Sequence, residues 1–80
     1  MKTIQYETGR DYGAPQVLEI TFPVVVMDSF DAAFVDVTAH FVDTVRGISG
    51  TVSVFGNDAN ENSIGRAVLN EYDAGRYQSN

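Results

Sequence analysis

The chain has 80 residues, a hydrophobic content of 44%, no cysteine and a formal net charge of −6. That length makes one domain, residues 1–80, burying roughly 60–65% of the surface its unfolded form exposes. The apolar content argues against a disordered acidic tail, and no run approaches the ~20 apolar residues of a membrane span. A negative chain is repelled by nucleic acid and by anionic lipid, so neither is expected as a direct partner.

Residues 2–7 alternate weakly around Ile4 and Tyr6 and read as an edge strand, with Lys2 and Glu7 discouraging pairing with other chains. Residues 8–15 hold Gly9, Gly13 and Pro15 and read as a loop. From Gln16 to Phe22 the alternation is clean. Val17, Glu19 and Thr21 fall on one side; Leu18, Ile20 and Phe22 fall on the other. The two strands predict a hairpin. Pro23 ends or bends the second one, and Val24–Met27 continue it as a buried segment.

Residues 30–45 support two readings. Phe30, Phe34, Val37, Phe41 and Val45 recur at helical spacing, with Asp28 or Ser29 as N-cap and Arg46-Gly47 as a C-terminal signal. Val35, Val37, Ala39 and Phe41 also alternate with Asp36, Thr38 and His40, and the β-branched content suits a strand. The capping signals and the length favour the helix. Thr51–Phe55 then reads as a short strand with Val52 and Val54 on one face. A second helix runs from a cap at Asn62 or Ser63 to about Ala74, with Ile64, Ala67, Val68 and Tyr72 inward and Gly75 stopping it. The tail 76–80 reads as frayed. The expected fold is α+β: a three-stranded, mostly antiparallel sheet with two helices on one face, in the order β-β-α-β-α.

The charge is local. Between residues 11 and 45 stand Asp11, Glu19, Asp28, Asp31, Asp36 and Asp43, with no lysine or arginine. On a helix, Asp28, Asp36 and Asp43 lie opposite the phenylalanines with Asp31 at the margin, and Asp36 and Asp43 are about 10.5 Å apart along the axis. Such a ridge is either an ordinary solvated face or the contact surface for a basic groove. Tyr12, in the loop beside Arg10 and Asp11, is the other candidate contact, since tyrosine is enriched at interfaces. Asp28, Asp31, Asp36, Asp43, Tyr12 and Glu19 are therefore the candidate partner-binding residues.

Catalytic and metal-binding patterns fail on inspection. Asp58–Asn62 opens like a calcium loop, but Ser63 stands where the turn needs glycine and Leu69 where a bidentate glutamate belongs. His40 is the single histidine and has no nucleophile at a useful spacing. No glycine-rich phosphate loop and no G-x-S-x-G are present. The expectation is no enzyme, no cofactor and no metal. Without cysteine, and with an N-terminus that turns acidic at Glu7, a bacterial cytoplasm is the expected compartment.

In its size, its lack of Cys and Trp, its acidic block at Asp28, Asp31, Asp36 and Asp43 and its closing segment Ser63–Tyr77, the chain resembles the small phage and mobile-element anti-CRISPR proteins that act on type I systems. That resemblance implies a stoichiometric inhibitor. It would bind a CRISPR surveillance complex, occupy its lysine- and arginine-rich DNA channel and exclude target DNA as a DNA mimic. Contact through Tyr12 and the hairpin loop is the alternative within that role. A self-associating phage assembly protein and an acidic, antitoxin-like partner of a basic protein are the alternatives to it. The helical ridge makes one sharp expectation: Asp36→Lys with Asp43→Lys weakens partner binding, read by titration, while the thermal melt stays in place.

Overall fold

The computed structural model describes residues 1–23, 35–56 and 61–79. The elements are β1 (Lys2–Asp11), β2 (Pro15–Phe22), β3 (Val35–Asp43), β4 (Ser49–Gly56), α1 (Glu61–Asp73) and β5 (Gln78–Ser79). All five strands form one antiparallel sheet in the order β1-β2-β3-β4-β5. This corrects the expected three-stranded sheet with two helices. The chain is mostly sheet, with one helix among the described residues.

The main correction falls on residues 35–43, which form a strand and not a helix. Val37 and Phe41 lie on both the helical and the alternating pattern, so local spacing cannot separate the two. Pairing does. Thr21 stands opposite His40 and Ile20 opposite Phe41 on one side, while Val37 meets Val54 and Ala39 meets Val52 on the other. A central strand bonded on both edges also suits the β-branched Val35, Val37, Thr38 and Val42. The apparent helix stop at Arg46-Gly47 is the turn joining β3 to β4. Gly47 has φ +73°, its N–H donates to the Asp43 carbonyl at 2.9 Å, and the Asp43 N–H donates to the Ile48 carbonyl at 2.7 Å.

The first hairpin and the helix follow the sequence reading more closely. β1 and β2 pair from Lys2↔Phe22 to Glu7↔Val17, and the register then shifts before Asp11↔Pro15. Gly9, at φ +83°, sits within that irregularity. α1 buries Ile64, Gly65, Val68 and Tyr72. Its end is a Schellman motif: Gly75 at φ +73° donates to the Tyr72 carbonyl at 3.1 Å, and Arg76 N–H donates to the Glu71 carbonyl at 2.9 Å.

The tail beyond Arg76, expected to fray, returns to the sheet. Tyr77 stacks edge-on against Phe41 and Tyr72, with ring centroids 5.2 and 5.5 Å away. Gln78 and Ser79 then pair with Thr51 and Gly50. Gly50 permits this approach, because a Cβ there would lie 2.6 Å from the Gln78 carbonyl oxygen.

The core lies between α1 and one face of the sheet. Ile4, Leu18, Ile20, Phe22, Val37, Ala39, Phe41, Val52 and Val54 point toward Ile64, Val68 and Tyr72. α1 packs chiefly against β4, with fewer contacts to β1 and β2, and leaves the other face of the sheet uncovered among the described residues. No described helix is long and apolar enough to cross a membrane.

Gly65 marks the closest approach of helix to sheet. A Cβ at this position would overlap the Tyr6 ring, so the glycine costs helix propensity but admits the ring. We expect Gly65→Ala to destabilise by about 1–3 kcal/mol in denaturant unfolding, the overpacking outweighing a propensity gain of about 1 kcal/mol. The penalty should shrink in a Tyr6→Val background, and an equal penalty there would show that the ring is not the obstacle.

Candidate protein-binding face

The aspartates expected on the helical ridge do not stay together. Asp28 and Asp31 fall in 24–34, and Asp58 falls in 57–60; both segments lie outside the described residues, as does the expected continuation at Val24–Met27. Asp36 stands in β3 in register with Phe55. Asp43 overturns the ridge, because it is fully buried.

The Asp43 carboxylate is a structural acceptor. Oδ2 takes a hydrogen bond from Gln16 Nε2 at 2.7 Å and one from the Tyr72 hydroxyl at 2.8 Å. Oδ1 takes the backbone N–H groups of Val45 at 3.1 Å and Arg46 at 3.0 Å. The chain continues outward, since Thr8 Oγ1 donates to Gln16 Oε1 at 2.8 Å. Burial alone pushes the carboxyl pKa up, but the bonds from Arg46, Gln16, Tyr72 and Val45 outweigh it and hold Asp43 below the ordinary carboxylate range. Tyr72 moves the other way. Burial, then its bond to Asp43 and the charge it faces, raise the hydroxyl to about 12.

The open face of the sheet is the surface that remains for a partner. It follows from strand parity: Thr3, Gln5 and Glu7 on β1, Val17, Glu19 and Thr21 on β2, Thr38, His40 and Val42 on β3, and Ser49, Thr51, Ser53 and Phe55 on β4 alternate with the core residues. Register aligns them in rows. Thr3, Thr21, His40 and Thr51 cross the sheet in one row, and Gln5, Glu19, Val42 and Ser49 in the next. Thr3 and Thr21 hydroxyls lie 3.0 Å apart, and Gln5 Nε2 donates to Glu19 at 3.1 Å. Phe55 is 67% exposed at one corner.

No lysine or arginine stands on this face. The chain has five lysines and arginines, and all of them are among the described residues. Lys2 reaches Glu61 of α1 at 3.0 Å. Arg10 grips Asp73 at the end of α1 through two bonds of 2.7 Å. Arg76 pairs with Glu71 at 2.7 Å, Arg66 is exposed on α1, and the Arg46 guanidinium lies 5.2 Å from the centroid of the Tyr12 ring. The hydrogen bond and charge of Arg10 hold Asp73 low, and those of Arg76 hold Glu71 low. The cations therefore serve the helix side and the hairpin end, and Glu7 and Glu19 stand on the open face with none.

Of the residues singled out from sequence, Glu19 joins the open face. Tyr12 lies at the β1–β2 tip, 48% exposed and beneath Arg46. Glu7 and Phe55 were not singled out, although strand alternation puts each on the face away from the core; the β1–β2 register then sets Glu7 diagonal to Glu19. No family model, curated protein or solved structure matches this chain.

The Asp43 network makes the fold sensitive to both pH extremes. Its folded pKa lies below the ordinary 3.8, so its stabilisation is full above that value and is lost as pH falls through the lower folded value. Tyr72 lies above its ordinary 10.0, so its stabilisation is full below 10 and is lost as pH rises toward 12. We expect Asp43→Ala, which strands the Gln16, Tyr72 and backbone donors, to cost on the order of 3 kcal/mol or more. Tyr72→Phe should cost less and remove the loss of stability between pH 10 and 12 in urea titrations. Retention of that alkaline loss in Tyr72→Phe would assign it to another group. Asp43→Lys, harmless on a helical ridge, is expected to prevent folding.

Proposed function

We propose that this chain is a noncatalytic binding domain that docks on a cationic protein surface. The particular role is a stoichiometric inhibitor that occupies the DNA channel of a type I CRISPR surveillance complex. One observation supports the reading above the others: the open sheet face carries acids and no lysine or arginine. A face of that kind is attracted to a lysine- and arginine-lined channel and repels the DNA that the channel holds. A line of aspartates along a helix has no part in this account. The resemblance in size and composition suggests which channel.

Self-association through an edge strand is the competing reading. The blunting of β1, one of the two outer strands, weighs against it at that edge. Lys2 points toward α1 from an edge position, Glu7 adds charge, and the register shift around Gly9 interrupts a regular template.

The test is competition. Type I complex preincubated with the chain should lose target-DNA binding in a gel-shift assay, with the loss complete near one inhibitor per complex at low salt and relieved as salt rises. Unchanged DNA binding at a large molar excess in low salt would remove the channel from the proposal, and a stable homo-oligomer in light scattering would favour self-association.

A further inference from the structure

The reading above names a kind of surface, and the rows of the open sheet narrow it. Glu7 and Glu19 are diagonal neighbours, because Glu7 stands opposite Val17 and Gln5 opposite Glu19. They form the charged corner. Phe55 occupies the opposite corner, three strands away on β4 and toward the other end of the strands. At ~4.8 Å between strands and ~3.3 Å per residue, the two corners are roughly 30 Å apart on the flattened sheet. Between them lie hydroxyls, the half-buried Val17 and Val42 and the imidazole of His40, with no lysine or arginine.

Resting on that reading, we infer that the open face is a docking surface for an extended, arginine-rich protein segment, held by Glu7 and Glu19 at one corner and by the exposed ring of Phe55 at the other. Charge complementarity selects a cationic occupant. The ring selects arginine over lysine, since a planar guanidinium stacks on an aromatic face and sheds its hydration more readily than an ammonium. Length agrees as well: ten extended residues span about 33 Å. Hydroxyls of Thr3, Thr21 and Thr51 between the corners can accept from further guanidinium N–H groups.

Two synthetic peptides, deca-arginine and deca-lysine, test the inference without any CRISPR component. Titrations monitored by amide chemical shifts should perturb Glu7, Val17, Glu19, Thr21, Thr51 and Phe55 and leave α1 in place. Deca-arginine should bind roughly threefold more tightly than deca-lysine, and Phe55→Ser should abolish that preference. Glu7→Gln with Glu19→Gln should weaken both peptides roughly tenfold. Asn62→Lys with Asn70→Lys on α1 makes the same change in net charge and should have a much smaller effect. Perturbations centred on α1, an equal loss in both double variants, equal affinities for the two peptides or no binding at all would each overturn the inference. Peptide binding at this face without inhibition of the complex would sink the CRISPR role alone; inhibition that survives the Glu7 and Glu19 substitutions would sink the docking face alone.

Discussion

The buried carboxylate of Asp43 is the interaction on which the rest of the structure depends. Taking a carboxylate out of water costs several kcal/mol, and only a full set of donors offsets it. Here the donors come from three places: Gln16 at the start of β2, Tyr72 near the end of α1, and the backbone of the β3–β4 turn. Each bond to the charged group contributes about 1.5–3 kcal/mol, enough together to offset burial. The larger effect is on specificity. A one-residue slip of β3 would turn Asp43 outward and Phe41 with it, breaking the aromatic cluster with Tyr72 and Tyr77 at the same time. Polar and apolar contacts thus select one register together.

Once the register is set, strand parity sorts the charges. Lys2 lies at an inward position of β1, and Arg10, beyond the irregularity, turns the same way; each meets an acid of α1. Glu7 and Glu19 lie at outward positions of β1 and β2. The helix therefore carries most of the ion pairing, and the opposite face is left with acids, hydroxyls and one exposed ring. These surface pairs add little stability, being exposed and screened by salt. Their effect on the field is larger, since they consume cations that would otherwise neutralise the open face.

Much of this was legible in the sequence, and the part that was not has a physical cause. Gln16–Phe22 alternates without ambiguity, and the helix from Glu61 to Asp73 carries both an apolar stripe and the glycine that ends it. Residues 35–43 are different. Val37 and Phe41 fit either period, and Asp43 followed by Arg46-Gly47 serves equally as a helix end or as a turn in which the aspartate caps two backbone N–H groups. The deciding contacts are remote: Gln16 is 27 residues from Asp43 and Tyr72 is 29. A buried acid cannot be told from an exposed one without its donors. Glu19 and Tyr12 are both exposed, in keeping with a polar strand position and a loop tip. Glu7 and Phe55 are also at outward positions by alternation.

Moving the acids from a coil to a sheet changes what charge can do here. A helical ridge would present carboxylates at close, regular intervals and could imitate a phosphate row by contact. The open sheet presents Glu7 and Glu19 at one corner, too few for such an array. The remaining net charge acts at long range, over the Debye length of about 8 Å at physiological salt, and speeds encounter with a cationic partner. Residence once bound must come from short-range contacts, and on this face those are the hydroxyl rows and the Phe55 ring. Charge and contact are thus separable: salt should act mainly on the rate of association and on the Glu7–Glu19 corner, while the lifetime of a complex depends on how well a partner covers the centre of the sheet.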